Sequence, residues 1–293
     1  MPPLHPKLWP TWIVILILRA ISLLPYKVMM NIGSSIGLIF HTFMKSRKSI
    51  AKINLELCFP NLLEAERDTL IKTHFKFLGR GLMELTIAWW WSDIRLKKLN
   101  VTITGLHHLQ ASNKKGRIFL AAHFSSLELS GRFLGQFTNY WAMYRPHENP
   151  VIQYQYEKYR TRYSLGILTK HDAKKALKAL KIGDGIWFAP DQNFGVKGST
   201  FSSFFGVPAA TNMATSRLAK MSSAYVIPFV IFHKNNGYEI RFEEPMHNIN
   251  GTNPEKETQE INDLFEKWAR EAPTQYNWIH KRFKDQPDGI NLY

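Results

Sequence analysis

The feature that most constrains the fold is an alternation of short apolar runs and helix-like runs from Val101 onwards. Short apolar runs bounded by polar residues are typical of buried strands, and apolar stripes at helical spacing are typical of helices packed on a sheet. The predicted strands are Val101–Thr104, Ile118–Ala122, Trp141–Tyr144, Ile186–Ala189, Tyr225–Phe232 and Tyr238–Phe242. The predicted helices are Ser125–Phe137, Val151–Tyr163, Asp172–Ile182, Ala209–Lys220 and Pro254–Glu271. This order predicts an α/β fold with a mixed sheet flanked by helices.

A histidine directly follows the second of these strands. His123 comes after Ile118–Ala122, where α/β folds commonly place their chemistry, and Glu128 follows five residues later. Residues five apart do not share a helix face, so the two side chains meet only if His123 lies before the helix that carries Glu128. In that geometry Glu128 would orient the imidazole and leave its other nitrogen free to act as a base. The alternative is a capping histidine with a solvated glutamate.

The first 45 residues are the predicted membrane element. The run Trp12–Leu24 is apolar apart from Arg19 and Ser22, and a second apolar helix is predicted to extend to Met44. A helix over Trp12–Leu24 would be about 20 Å long, which is shorter than the ~30 Å hydrocarbon core of a bilayer. We therefore expect partial insertion from the cytoplasmic side, with a full membrane span or a buried core helix as alternatives. The predicted division is a helical anchor at 1–45 and an α/β domain at 46–293.

The charge and composition of the chain restrict the classes of partner and of site that it can have. The formal net charge is +15, which indicates an anionic partner such as an acidic protein, an anionic membrane, a phosphorylated substrate or a nucleic acid. The single cysteine, Cys58, excludes an internal disulfide and a multi-cysteine zinc site. The sequence contains no Walker loop, H-E-x-x-H pair or dinucleotide glycine fingerprint, and its G-x-S-x-G pattern, Gly33–Gly37, lies inside the predicted second helix rather than between a strand and a helix. We expect neither a metal nor a cofactor.

Several further motifs follow His123 and Glu128 in a fixed order. They are Arg145-Pro-His-Glu-Asn-Pro150, Pro190-Asp-Gln192, Phe204-Phe-Gly-Val-Pro208 and Trp278-Ile-His-Lys-Arg-Phe-Lys284. With these motifs the chain resembles the late lipid A acyltransferases of the lauroyl/myristoyl type, from the N-terminal helix to Lys284. The resemblance implies a glycerolphosphate-acyltransferase-like fold for the α/β domain. It also implies a location at the inner membrane with the catalytic domain facing the cytoplasm.

The resemblance implies a reaction as well. An acyl chain would pass from an acyl carrier protein thioester to a hydroxyl of a lipid A precursor that carries Kdo sugars. His123 would take the hydroxyl proton, with Glu128 holding the tautomer, and no acyl-enzyme would form. Thioester hydrolysis is an expected side activity when no acceptor is present. The motifs leave open the acyl chain length, the acylated position and the choice between the lauroyl and myristoyl branches.

Four further residues are candidates for substrate binding. Arg160 and Arg162 are the best candidates for the acceptor's phosphates or sugar acids, because guanidinium groups pair bidentately with such anions. Arg145 could act similarly, and Asp191 could position the acceptor or brace Arg160. The alternative for each arginine is surface charge or a turn, and for Asp191 a turn-forming role.

Two other functions compete with this interpretation. One is a different acyltransferase of the same fold, acting on a glycerolipid or a phosphatidylinositol mannoside. The other is a basic, membrane-bound module that binds nucleic acid. No recognised nucleic-acid-binding motif supports the second, so no nucleic-acid partner is expected.

Overall fold

The computed structural model describes residues 3–110, 115–235 and 237–293 of the 293-residue chain. The helices are α1 (Trp9–Ile21), α2 (Tyr26–Phe43), α3 (Lys45–Cys58), α4 (Glu64–Trp90), α5 (Asp93–Leu96), α6 (Leu106–Gln110), α7 (Leu127–Leu134), α8 (Pro150–Arg160), α9 (Ala173–Lys181), α10 (Ala214–Ser222) and α11 (Pro254–Glu271). The strands are β1 (Val101–Thr104), β2 (Arg117–Leu120), β3 (Tyr140–Met143), β4 (Gly166–Leu168), β5 (Gly185–Phe188), β6 (Ser199–Phe204), β7 (Val207–Asn212), β8 (Tyr225–Lys234) and β9 (Gly237–Phe242).

Seven strands form one mixed sheet in the order β1-β9-β8-β2-β5-β3-β4. The five strands from β8 to β4 in this order run parallel, whereas β9 is antiparallel to β8 and β1 is parallel to β9. The predicted mixed sheet is therefore confirmed. Because parallel strands end at the same edge, the residues that follow β2, β5, β3 and β4 are gathered along one edge of the sheet.

Helices cover both faces of this sheet, as predicted. Leu129 of α7 and Val151 of α8 belong to the core on one face, together with the C-terminal half of α4. Leu180 of α9, Leu218 of α10 and Phe265 of α11 belong to the core on the other face. The central strand β2 is buried along its whole length, which explains why it reads as a continuous apolar run.

A two-stranded hairpin, β6–β7, lies outside the large sheet and was not predicted. The predicted helix Ala209–Lys220 is wrong in its first part, because residues up to Asn212 belong to β7 and α10 begins only at Ala214. Phe205 and Gly206 form the hairpin turn, with φ of 56° and 80°. Two successive left-handed residues match the right-handed twist of the paired strands, which is why this turn closes a two-residue hairpin.

The N-terminal helices pack against the α/β body along α4. Gly37 of α2 lies so close to α4 that a Cβ atom there would stand 2.1 Å from the carbonyl oxygen of Phe75. In α1 only Ile15 and Leu18 are buried, so α1 is not a core helix. The apolar residues of α1 that are more than half exposed are Trp9, Ile13, Val14, Leu16 and Ile17. No helix in the described part of the chain combines the length and apolarity needed to cross a bilayer.

Candidate active site

His123 and Asp191 meet at the carboxyl edge of the parallel strands. Leu120, the last residue of β2, pairs with Phe188, the last residue of β5, and each functional residue follows three positions later. The His123 Nδ1 atom lies 2.6 Å from Asp191 Oδ1, and the His123 backbone N–H donates to Asp191 Oδ2 at 2.9 Å. Both carboxylate oxygens therefore hold the histidine, one through its ring and one through its backbone.

The contact with Asp191 determines which nitrogen of the His123 ring carries the proton and which one can accept a proton from a substrate. Burial alone would raise the pKa of Asp191, but the charge and hydrogen bonds of His123 outweigh it and keep that pKa below its usual range. An ionised carboxylate only accepts hydrogen bonds, so Nδ1 carries the proton and Nε2 is the free nitrogen. The His123 side chain is 28% exposed and that of Asp191 only 1%, so a substrate can reach the histidine but not the aspartate.

This geometry corrects the interpretation of Asp191. The sequence placed it as a residue that positions the acceptor or braces Arg160. Instead its carboxylate is buried and accepts hydrogen bonds from His123, whereas Arg160 binds Glu128. Asp191 therefore holds the position that the sequence had given to Glu128.

The prediction that His123 stands outside the helix is confirmed, but its contact with Glu128 is wrong. Helix α7 begins at Leu127, four residues after His123, and Glu128 lies in its first turn. The side chain of Glu128 is buried and points toward α8 and α4, where Arg160 is its principal partner. Helix geometry explains the difference, since the start of α7 turns this side chain toward the interior while His123 stays at the sheet edge.

Glu128 lies in a dense polar cluster. The Arg160 guanidinium holds both of its oxygens, with Nη2 2.6 Å from Oε2 and Nε 3.1 Å from each oxygen. The Tyr163 hydroxyl donates to Oε1 at 2.9 Å, and the Trp89 indole donates to the same oxygen at 3.4 Å. Residues from α4, α7, α8 and the segment after α8 are thus tied together through one carboxylate.

Arg160 is a buried cation that depends on this carboxylate. Burial alone would lower its pKa, but the charge of Glu128 and its hydrogen bonds outweigh that effect and raise the pKa. The guanidinium also lies over the Tyr156 ring, with Cζ 4.6 Å from the ring centroid. Its Nη1 atom is buried without a hydrogen-bond partner among the described residues. The predicted role of Arg160 in binding the acceptor stays a prediction.

Arg145 and Arg162 are both exposed. Arg145 follows β3 and so lies along the same sheet edge as His123. Arg162 lies over the Tyr159 ring at 4.6 Å, and its Nη1 atom is 3.5 Å from the Trp89 carbonyl oxygen. The roles of both arginines in acceptor binding stay predictions. Within the described residues, no group of three histidine, cysteine or acidic side chains could hold a metal ion.

The C-terminal segment that contains Asn277 and His280 contacts both loops of the site. The backbone N–H of Asn277 donates to the His123 carbonyl oxygen at 2.9 Å. The His280 Nε2 atom accepts from the backbone N–H of Asn193, two residues after Asp191, at 3.1 Å. Burial lowers the pKa of His280 to about 4, so its ring stays neutral and can accept that bond. One segment therefore fixes both loops that carry the His123–Asp191 pair.

Comparisons with known proteins show the family of the chain. The chain matches the family model for bacterial lipid A biosynthesis acyltransferases over residues 3–285. It is 37% identical to the lipid A biosynthesis lauroyltransferase of Escherichia coli (strain K12), over 98% of this chain and 95% of that protein. It is also 37% identical to the lipid A biosynthesis palmitoleoyltransferase of the same organism, over 98% of this chain and 94% of that protein.

A solved structure is also similar, the 1-acyl-sn-glycerophosphate (LPA) acyltransferase PlsC from Thermotoga maritima. The similarity covers 86% of this chain and 99% of that chain, at 13% identity and a TM-score of 0.40. The near full-length matches to the family model and to the two E. coli enzymes settle the family. The chain belongs to the bacterial lipid A biosynthesis acyltransferases and is an O-acyltransferase.

Proposed function

We propose that the protein is a membrane-associated enzyme that moves an acyl chain from an acyl carrier protein thioester to a hydroxyl of a Kdo-bearing lipid A precursor. Membership of the family supports acyl transfer onto a lipid A precursor. The observation that carries the mechanism is the His123–Asp191 pair, whose free Nε2 atom lies on a partly exposed ring.

The chemistry follows from that pair. A free hydroxyl is too weak a nucleophile at neutral pH, so His123 Nε2 takes its proton as the oxygen attacks the thioester carbonyl carbon. The negative charge of Asp191 stabilises the imidazolium that forms. The carbon–sulfur bond then breaks, and the thiolate leaves and receives the proton. The acceptor oxygen attacks directly, so no acyl-enzyme forms.

Glu128 takes a different role in this proposal from the one the sequence assigned to it. It acts on the reaction through Arg160, whose charge it balances and whose position it fixes. Removing one partner of a buried ion pair leaves an uncompensated charge, so both residues are required for an ordered site. Arg145 and Arg162 supply exposed cationic groups for the anionic parts of the acceptor.

The exposed apolar face of α1 supports the membrane part of the proposal. Large apolar side chains such as Trp9, Ile13 and Leu16 are more than half exposed on one helix, which is typical of a helix lying in a bilayer interface. The net charge of +15 adds attraction to anionic lipid. We place the protein on the inner membrane, with the site facing the cytoplasm.

The test is an acyl-transfer assay with purified enzyme, an acylated carrier protein and a Kdo-bearing lipid A precursor, read by mass spectrometry of the lipid. We expect transfer by the wild type and a loss of about 10²-fold or more in His123→Ala, with folding retained because the ring is partly exposed. Fully active His123→Ala would refute the mechanism. Offering a glycerophospholipid as the acceptor tests the other acyltransferase function.

A second measurement in the same assay tests the side activity. Without the acceptor, water can take the place of the hydroxyl, because the same Nε2 atom can accept its proton. We expect slow release of free fatty acid from the carrier protein thioester, which His123→Ala should abolish together with transfer.

A further inference from the structure

We propose that the exposed lysine face of α9 and the turn before it dock the acidic protein that delivers the acyl chain. The surface, here named the α9 basic face, consists of Lys170, Lys174, Lys175 and Lys178. The inference rests on the proposed function, because it assumes that the donor is a thioester on an acidic carrier protein.

The lysines of this face are exposed and form no ion pairs with described residues. The acid within this stretch, Asp172, uses its carboxylate to accept hydrogen bonds from the backbone and hydroxyl of Thr169. Lys175 also lies over the Trp141 ring, with Nζ 4.3 Å from the ring centroid. Four lysines and one aspartate leave a net charge of +3 on residues 170–178, and this positive field attracts an acidic partner and speeds its association.

The position of the α9 basic face suits delivery of a substrate to His123. Strand β4 ends at Leu168, and the chain passes directly to Lys170 at the carboxyl edge of the sheet. Strand β2 leads to His123. The strands β5 and β3 lie between β2 and β4 in the sheet. Three strand spacings of about 4.8 Å put Lys170 roughly 14 Å from His123 along this edge. A carrier protein bound here could extend its thioester arm to the histidine.

The fold separates this face from the surface proposed for the membrane. Helix α1 packs on α4 and α8, and α8 lies on one face of the sheet with Val151 in that core. Helix α9 lies on the other face, where Ala176 and Leu180 belong to the second core. The lysines of α9 therefore point away from the side on which α1 exposes its apolar residues. This arrangement favours a protein over a lipid surface as the occupant.

The test is steady-state kinetics of the full-length variant Lys170→Glu/Lys174→Glu with two donors. One donor is the acylated carrier protein, and the other is the same acyl chain on free pantetheine, which has no protein surface. We expect the KM for the carrier protein donor to rise about tenfold or more, and the KM for acyl-pantetheine to stay within about twofold of the wild-type value. Since exposed charges are screened, added salt should reduce the difference.

A matched control carries the same charge change at the other edge of the sheet. Lys220 is exposed near the C-terminal end of α10, which leads to the start of β8, and Lys256 is exposed in the first turn of α11, whose preceding segment packs against Lys220 at Gly251. Lys220→Glu/Lys256→Glu should leave the KM for both donors within about twofold of wild type. An equal rise of KM in this control would show that net charge, and not the α9 basic face, governs the encounter, and would overturn the inference.

Three other results would also overturn it. One is an unchanged KM for the carrier protein donor in Lys170→Glu/Lys174→Glu, and another is an equal rise with acyl-pantetheine. The third is a loss of binding to phosphatidylglycerol-containing vesicles in that variant, which would assign the face to lipid. If the wild type transfers acyl chains from acyl-pantetheine but not from the carrier protein, the proposed donor itself is wrong. Failure of the proposed donor can be distinguished from failure of the docking surface, because it is seen in the wild type and does not depend on any variant.

Discussion

The substitution Asp191→Asn tests the division of roles at the site, because it removes the charge and keeps the shape. In the wild type the carboxylate accepts two bonds from His123, at 2.6 Å from the ring and 2.9 Å from the backbone. A hydrogen bond to a charged group contributes about 1.5–3 kcal/mol, which corresponds to a factor of roughly 10–10². An amide NH₂ facing Nδ1 would also move the ring proton to Nε2 and remove the base.

Together these effects predict that kcat for acyl transfer falls by about 10²–10⁴ in Asp191→Asn. The assay is transfer from the acylated carrier protein to the lipid A precursor, with circular dichroism and a melting curve to verify the fold. Asp184→Asn is the matched control, since Asp184 directly precedes β5 at the opposite sheet edge and accepts a bond from Trp141 Nε1. A folded Asp191→Asn enzyme whose kcat stays within about threefold of wild type would refute the reasoning.

Three further changes test other parts of the molecule. Glu128→Gln should lower the free energy of unfolding by about 3–5 kcal/mol, because it leaves the buried Arg160 charge uncompensated. Urea titration measures the free energy of unfolding, and an unchanged urea midpoint would contradict the prediction. Burial raises the pKa of Glu84 to about 7, so between pH 4.5 and 7 the native state holds a proton that the unfolded chain releases, and stability falls as the pH rises. Glu84→Gln should abolish this fall, about 3 kcal/mol in size, and an unaltered pH dependence of thermal unfolding would count against the assignment. Ile13→Ser/Leu16→Ser should weaken cosedimentation with anionic vesicles about tenfold or more, whereas undiminished binding would exclude α1 as the membrane contact.

The sheet was predictable where its strands are buried on both faces. The central strands β2 and β5 read as apolar runs because both of their faces contact helices, and the predicted positions agree with the structure within a few residues. The hairpin β6–β7 was not predictable from apolarity, since four of the six residues of β6 are serine or threonine and β7 contains a proline, a threonine and an asparagine. The available signal was Phe205-Gly206, whose glycine favours a two-residue hairpin turn.

The histidine was predictable from its place after a buried strand, but its carboxylate partner was not. Asp191 is 68 residues from His123 in sequence, and only the adjacency of β2 and β5 brings the two together. Strand order is a property of the whole sheet and cannot be derived from the local pattern of either strand. Each residue follows a predicted buried strand within two positions, and that was the signal for a shared edge.

The spacing between His123 and Glu128 has a physical reason that differs from the one expected. A residue at the end of β2 stays at the sheet edge, whereas a residue in the first turn of α7 is carried toward the interior. The five-residue interval therefore connects two polar sites, a partly exposed base held by Asp191 and a buried carboxylate held by Arg160. Since α7 begins between them, a shift in either site moves the same short turn. The Glu128 carboxylate therefore anchors the start of α7 by its bonds to Arg160, and in our proposal it acts on the reaction through Arg160 rather than through a direct hydrogen bond to His123.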